Sequence, residues 1–326
     1  MRAYQKMDLR SQQILIPLVL VGVTAFFLGV YGFGKEAALN PFKEKNLLLK
    51  GTDAPTIWLY YDTSDVNSRW WADFGARSTR VLNLPFLNLC YERICKFNSD
   101  RYKIEVISGL TDLASRLGGW QELPVGLQNP LANVGDAELN WIRAEILCRF
   151  GGLWLHPATV CLRPFPEIPQ DKIVFFGTDA DASYAGPGGT ALPSFYAIGA
   201  GRKNHPVFEQ WAQAAFERLD KRMGGQQIRG DAKWDYTAYA AKHSDTINYP
   251  NLELSRRPDG KRIQLEDLLS AGQEGDLRFH ITEETVYCPI PWPELRERRL
   301  FGWFLRMNED QILASDLGIS DLFRAV

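Results

Sequence analysis

Trp141-Ile142-Arg143-Ala144-Glu145-Ile146-Leu147-Cys148-Arg149-Phe150-Gly151-Gly152-Leu153-Trp154-Leu155 is the stretch that decides the fold. It reads as a helix carrying an arginine, closed by a glycine pair and followed at once by a buried strand. The helix is expected to start at Asp136 or Ala137, with Asp136 as its cap. Two glycines between helix and strand let the backbone approach a neighbour with no Cβ in the way. Ligands of open α/β sheets bind beyond the carboxyl ends of the strands. The residues after Leu155, His156-Pro157-Ala158-Thr159, therefore fall where a site is expected. Arg143 lies eight residues before Gly151 on the same helix, about two turns from its end. Its guanidinium suits a diphosphate or a carboxylate through paired hydrogen bonds, and suits a structural ion pair equally well.

Upstream, Thr56 to Asp62 is a β-rich run, Asn88 to Phe97 an amphipathic helix and Tyr102 to Ile107 a second strand. That order predicts a parallel pair joined by a right-handed crossover. Leu110 to Leu117 is expected as a short helix and Gly118 to Pro130 as a Gly/Pro-rich loop. Downstream, strands are expected at Gly152–Leu155, Thr159–Leu162, Ile173–Gly177 and Ser194–Gly199. Thr178 to Pro193 has the composition of a long loop over a binding site. Helices are expected at His205–Met223, Asp235–His243 and Asp310–Ala325, and short strands at Leu277–Ile281 and Thr285–Cys288.

The chain has 326 residues, 45% of them hydrophobic and 12% aromatic, enough to bury one substantial core. A formal net charge of -2 provides no electrostatic reason to expect a nucleic-acid partner. Ten tryptophans and twelve tyrosines suit a large α/β core and also suit stacking on sugar rings. The five cysteines, 90, 95, 148, 161 and 288, show no CxxC spacing and read as small buried hydrophobes. A Cys90–Cys95 disulfide does not fit that helical separation.

Ile14 to Phe33 is an uncharged run of twenty residues, long enough as a helix to span roughly 30 Å of bilayer. It reads as an uncleaved transmembrane anchor, with residues 1–13 as a tail, 34–54 as a stem and 55–326 as the large folded domain. Arg2, Lys6 and Arg10 precede it and Lys35, Lys43, Lys45 and Lys50 follow. The nearer charges lean toward a cytoplasmic N-terminus, hence a single-pass, Golgi-type lumenal orientation. No Asn-x-Ser/Thr sequon accompanies that address.

The segment NWIRAEILCRFGGLWLHPATVCLRPF, residues 140–165, resembles the core motif of glycosyltransferases that bind their sugar donor with an Asp-x-Asp signature, among them the capsular polysaccharide synthesis proteins. PTIWLYYD (55–62), LCYERICKFNSDRYKIEVI (89–107) and FYAIGAGRKNHPVFEQW (195–211) resemble further segments of those proteins in the right order. The resemblance spans Pro55 to Trp211. It implies a type-A glycosyltransferase (nucleotide-diphospho-sugar transferase) α/β fold, a mixed sheet flanked by helices, preceded here by one transmembrane helix. It also implies retaining transfer of a hexose from a nucleotide-sugar donor to a glycan or glycolipid acceptor. The donor-binding residues it implies are Arg143, Asn140, Gly151 and Gly152, with His156 and Thr159 at the place of the family's acids.

The chain departs from the pattern at two points. The family's helix aspartate falls on Asn140, and its Asp-x-Asp falls on His156-Pro157-Ala158. Acids at this place hold a divalent ion that bridges the donor's two phosphates. Three explanations stand open. Transfer is metal-independent, with Arg143 neutralising the diphosphate; or Asp179 and Asp181 supply acids for Mn2+ or Mg2+; or the protein is a catalytically inactive relative that binds glycan or assists a partner enzyme. His205, His243 and His280 are further candidate ligands or bases, and Trp234, Asp235 and Tyr236 are candidates for the acceptor site.

Overall fold

The computed structural model describes residues 53–62, 85–178, 193–223, 245–272, 279 and 281–325, which belong to one compact unit, Leu49–Val326. The expected anchor at 14–33, its tail and most of the stem, Asp179, Asp181 and the expected helix at 235–243 lie outside the described residues. Among the described residues no helix is long and apolar enough to cross a membrane.

The fold is a mixed α/β sheet with helices packed on it. The strands among the described residues are β1 (Thr56–Tyr61), β2 (Lys103–Ser108), β3 (Gly152–Leu155), β4 (Thr159–Cys161), β5 (Ile173–Phe175), β6 (Ala197–Ala200), β7 (Thr246–Asn248) and β8 (Tyr287–Pro289). Six form the main sheet in the order β2-β1-β3-β6-β5-β7, and β4 pairs with β8 in a small second sheet. β1 runs parallel to β2 and β3, as the strand–helix–strand order upstream predicted. β6 is antiparallel to both β3 and β5, while β5 and β7 are parallel. One reversed strand therefore sits inside an otherwise parallel sheet. Its amino end, where Leu155 pairs with Ala197, lies beside the carboxyl end of β3.

The helices used below are α1 (Pro85–Asn98), α2 (Gly109–Leu117), α3 (Asp136–Phe150), α4 (Pro206–Met223), α5 (Leu265–Leu269), α6 (Trp292–Glu297), α7 (Glu309–Ala314) and α8 (Gly318–Arg324). α3 is buried over most of its circumference, with Trp141, Ile142, Ala144, Ile146 and Leu147 all inside. A helix of that kind is covered on more than one side. Here α3 shares one hydrophobic core with Trp58 of β1, Trp154 of β3 and Phe208, Trp211 and Ala215 of α4.

Several sequence expectations are corrected in detail. Asp136 is the first residue of α3, not its cap; Gly135 occupies the cap, and its N–H donates to Glu138 Oε2 at 3.0 Å. The strand expected from Ser194 begins at Ala197, because Ser194 Oγ accepts the Tyr196 N–H and turns the chain. The single helix expected over 310–325 is two, α7 and α8, separated by Leu317, which bridges to Ala271. Gly318 opens α8 in contact with α5, where a Cβ would come within 2.6 Å of the Asp267 carbonyl oxygen. Phe279 and Ile281, expected within a strand, are not in one. All five cysteines are free, four of them buried and Cys148 half-buried.

Candidate functional site

A cavity of about 890 Å3 opens at the carboxyl ends of β1 and β3. Tyr60 and Asp62 reach it from β1, and Trp154, His156 and Pro157 from β3. Because β6 is reversed, its approach segment Ser194, Phe195 and Tyr196 arrives at the same end and lines the cavity too. The first half of α3 forms a further wall through Asp136, Asn140 and Arg143. The last wall comes from the C-terminal half: Glu253 to Ser255, Arg262 and Ile263, and Pro291 to Arg296 around α6.

Arg143 is only 5% exposed. Its Nη1 donates to Asn140 Oδ1 at 3.1 Å, while its Nε has no hydrogen-bond partner among the described residues. Its guanidinium lies 5.6 Å from the Trp154 ring centre and 5.3 Å from that of Phe195, so aromatic faces help to hold it. Among the described residues no carboxylate forms an ion pair with it. Burial pulls its pKa down to about 10, against the opposing pull of Asp136. It remains a cation at neutral pH. A buried cation without a counter-ion is costly unless something negative completes it.

His156 is half-buried, directly after β3. Its backbone N–H donates to the Tyr196 carbonyl at 2.8 Å, continuing the β3–β6 ladder. The ring lies 4.9 Å from the Tyr196 ring. Its Nδ1 accepts the Ala158 N–H at 3.1 Å, which leaves the proton of the neutral ring on Nε2. Burial first and the Arg143 charge second depress its pKa to about 3. The imidazole is therefore neutral throughout the physiological range, a hydrogen-bond donor and not an acid catalyst.

The expected site residues separate into two groups. Asn140, Arg143 and His156 line the cavity together. Gly151, Gly152 and Thr159 are not among its lining residues. The glycine pair stands at the opposite, amino end of β3. There the Trp58 indole donates to the Gly151 carbonyl at 2.9 Å, and a Cβ on Gly152 would collide with the Thr56 carbonyl oxygen. Its role in the fold is the close approach of β3 to β1. Thr159 is fully buried on β4, away from the cavity wall. His205 is also buried and outside the cavity lining; its Nδ1 accepts the Val207 N–H at 3.3 Å near the start of α4. Asp179, Asp181, Trp234, Asp235, Tyr236, His243 and His280 lie outside the described residues.

Among the described residues no group of three or more His, Cys, Asp or Glu side chains is placed to hold a metal ion. A neutral His156 beside a fixed guanidinium is a poor seat for Mn2+ or Mg2+, because the arginine charge that depresses its pKa repels any cation there. The described residues do not fit the divalent ion that the resemblance implies.

Sequence reasoning missed Glu253, Arg262, Trp292 and Arg296. They reach the cavity from irregular segments and a short helix, separated from α3 by more than one hundred residues of chain. No motif spacing marks them. No protein-family model and no curated protein matches this chain.

Proposed function

We propose that this cavity binds the diphosphate of a nucleotide-sugar. On this reading the protein is a membrane-anchored hexosyltransferase of the type-A fold, moving a hexose to a glycan or glycolipid acceptor with retention. The observation that carries the reading is Arg143: a buried guanidinium on the cavity wall, with an N–H left over and, among the described residues, no carboxylate to neutralise it. A diphosphate supplies that missing charge and matches the planar donor fork. Support also comes from the sheet, parallel but for one reversed strand beside β3, with its cavity at the strand ends.

In this mechanism Arg143 holds the diphosphate and stabilises the charge that develops on it as the sugar bond breaks. Asn140 holds Arg143 in place from the preceding turn. His156 Nε2–H is available to a phosphate or sugar oxygen, and the Tyr196 and Trp292 rings provide apolar faces for a sugar or base. No step is assigned to a metal ion. The run Ile14–Phe33 supplies the anchor, in a Golgi-type lumenal orientation, which protease protection of the domain in sealed vesicles tests.

A second reading has its own support: His156-Pro157 stands where the family carries acids, which suits a relative that binds donor or glycan without turnover. Purified protein is titrated with uridine and guanosine diphosphates and a panel of their sugars, with thermal stability as readout, because a ligand that binds only the folded state raises it. Stabilisation that disappears in Arg143→Ala supports the site. Hydrolysis of a nucleotide-sugar, assayed with and without manganese, then separates the enzyme from the inactive relative. If none of these nucleotides stabilises the wild type, the nucleotide-sugar reading is wrong.

A further inference from the structure

Trp292, Glu294, Arg296 and Glu297 line the cavity from α6, and the chain then runs into two short 3-10 turns, Arg299–Phe301 and Phe304–Arg306. A 3-10 turn repeats every three residues, so side chains three apart share a face. Phe301 and Phe304 take the inner face and are buried, with the Phe304 ring 5.6 Å from that of Phe86 on α1. Leu300, Trp303 and Arg306 take the outer face, Leu300 exposed at 68% and Trp303 at 44%. Arg299 is exposed as well and makes no ion pair among the described residues.

This outer face is held on a fixed base. Arg298 Nη1 donates to Glu294 at 2.6 Å, and its Nη2 donates to Glu266 of α5. The same guanidinium lies 4.7 Å from the Phe301 ring centre. The Phe301 N–H donates to the Arg298 carbonyl at 3.0 Å, and the Arg306 N–H to the Trp303 carbonyl at 3.1 Å.

An exposed leucine is ordinary by itself. Here it shares a face with a tryptophan, whose ring suits a boundary that is apolar on one side and wet on the other. Residues 296–306 also carry four arginines to one acid, in a chain whose formal net charge is -2. A guanidinium pairs with a phosphate through two parallel N–H bonds. Leucine and tryptophan beside arginine is the composition of a segment that lies in a membrane interface. A second copy docked through the same face would set these arginines against each other.

We propose that Arg299, Leu300 and Trp303 dock on the surface of a phospholipid bilayer. Leu300 and Trp303 enter the boundary between headgroups and acyl chains, and Arg299 pairs with a lipid phosphate. Because α6 joins this face to the cavity, docking sets the α6 wall next to the bilayer surface, the level at which a lipid-borne acceptor has its headgroup. The proposal rests on the membrane attachment proposed above and is independent of the donor.

The test uses full-length protein reconstituted in phosphatidylcholine vesicles, with and without phosphatidylserine, and lipids brominated on their acyl chains as quenchers of tryptophan fluorescence. None of the ten tryptophans lies in the apolar run Ile14–Phe33, so quenching reports on the rest of the chain. The wild type is expected to be quenched, and Trp303→Phe to lose that quenching while still floating with the vesicles. Leu300→Asp, which keeps Trp303, is expected to abolish the same component. Arg299→Glu should lower the docked population at least about fivefold in phosphatidylserine vesicles, the weight of one basic residue near an anionic surface. All three positions are exposed, so unchanged thermal unfolding checks that each variant folds. Equal quenching of wild type and Trp303→Phe overturns the proposal, as does Trp303 quenching that survives in folded Leu300→Asp. A dimer in detergent that Leu300→Asp dissociates assigns the face to a second copy and overturns it too. Protein that does not float with the vesicles overturns both the docking and the membrane attachment, and leaves the nucleotide-sugar cavity to its own titration.

Discussion

Arg143 Nη1 donates to Asn140 Oδ1 at 3.1 Å from one turn further along α3, and among the described residues Asn140 is its only hydrogen-bond partner. A neutral amide holds the guanidinium without cancelling its charge. That arrangement costs folding stability and keeps the cation available, which is the behaviour of a binding group. Arg143→Met, similar in length and uncharged, is therefore expected to leave unfolding stability within about 1 kcal/mol of the wild type, since an apolar side chain often replaces a buried charge at no loss. The same variant should lose the stabilisation by nucleoside diphosphate entirely. Asn140→Ala should behave in the opposite way on stability, losing about 2 kcal/mol because the buried guanidinium then lacks its one protein partner. Denaturant unfolding of the two variants, with and without diphosphate, measures both effects. An Arg143→Met protein that loses several kcal/mol would make this arginine structural.

The neutral ring of His156 predicts a dependence on acid. Its folded-state pKa, near 3, lies below the usual value of about 6.5 for histidine in an unfolded chain. Between those two values the unfolded state binds a proton that the folded state does not. The His156 contribution is therefore complete above about pH 6.5 and is lost progressively as the pH falls toward 3. His156→Gln keeps a polar group there and removes the titration. The slope of stability against pH between 6.5 and 4 should be shallower in this variant than in the wild type, as urea unfolding at a series of pH values would show. Equal slopes would mean that the ring protonates freely in the folded protein.

What the sequence disclosed and what it withheld follow from the range of the interactions involved. The strands β1, β2, β3 and β5 and the helices α1 to α4 were legible because each is set by its own periodicity and end signals. Asn140, Arg143 and His156 were legible for a related reason: they flank one helix–strand unit, and the strand-end rule places that unit at a cavity. Gly151 and Gly152 were visible as a feature and correctly placed between helix and strand, but they were credited with donor binding and do not line the cavity. A glycine pair signals close backbone approach, and nothing in it says whether the neighbour is a ligand or the adjacent strand; here it is Thr56 of β1. Glu253 and Trp292 were illegible, because they reach the cavity through loop geometry and tertiary packing that no local pattern encodes.

The glycine pair itself makes a graded prediction. Both residues have positive φ, 64° for Gly151 and 90° for Gly152. The nearest atoms to a Cβ on Gly151 would be the Ala200 carbonyl oxygen and the Arg202 carbonyl carbon at 3.3 Å, a tight but relievable contact. A Cβ on Gly152 would meet the backbone of Thr56, which the β1–β3 pairing holds in place. Gly151→Ala should cost about 1–2 kcal/mol from backbone strain alone. Gly152→Ala should cost at least ~3 kcal/mol, because two paired strands must separate as well. Thermal unfolding of the two single variants gives the order, and equal losses would show that β1 yields easily.

The C-terminus is tied to the core by Arg93, and this supplies the sharpest stability prediction. Arg93 is 8% exposed on α1; its Nε donates to the Cys161 carbonyl of β4 at 3.0 Å and its Nη1 to the Phe323 carbonyl of α8 at 3.2 Å. Its Nη2 donates to the Ala325 carbonyl. Among the described residues the guanidinium has no carboxylate partner and instead gathers three backbone carbonyls from two segments, two of them at the C-terminus of α8, where carbonyls lack helical partners and a cation is favoured. Lysine has the charge but not the planar fork, so it cannot donate in three fixed directions at once. Arg93→Lys and Arg93→Ala should both lose about 3 kcal/mol, with charge alone giving no rescue. Hydrogen exchange should accelerate across Gly318–Arg324 and leave β1–β3 protected, since α8 opens before the main sheet does. Rescue by lysine, or uniform loss of protection across the domain, would show that Arg93 acts through charge or through the whole core and not as a clamp on α8.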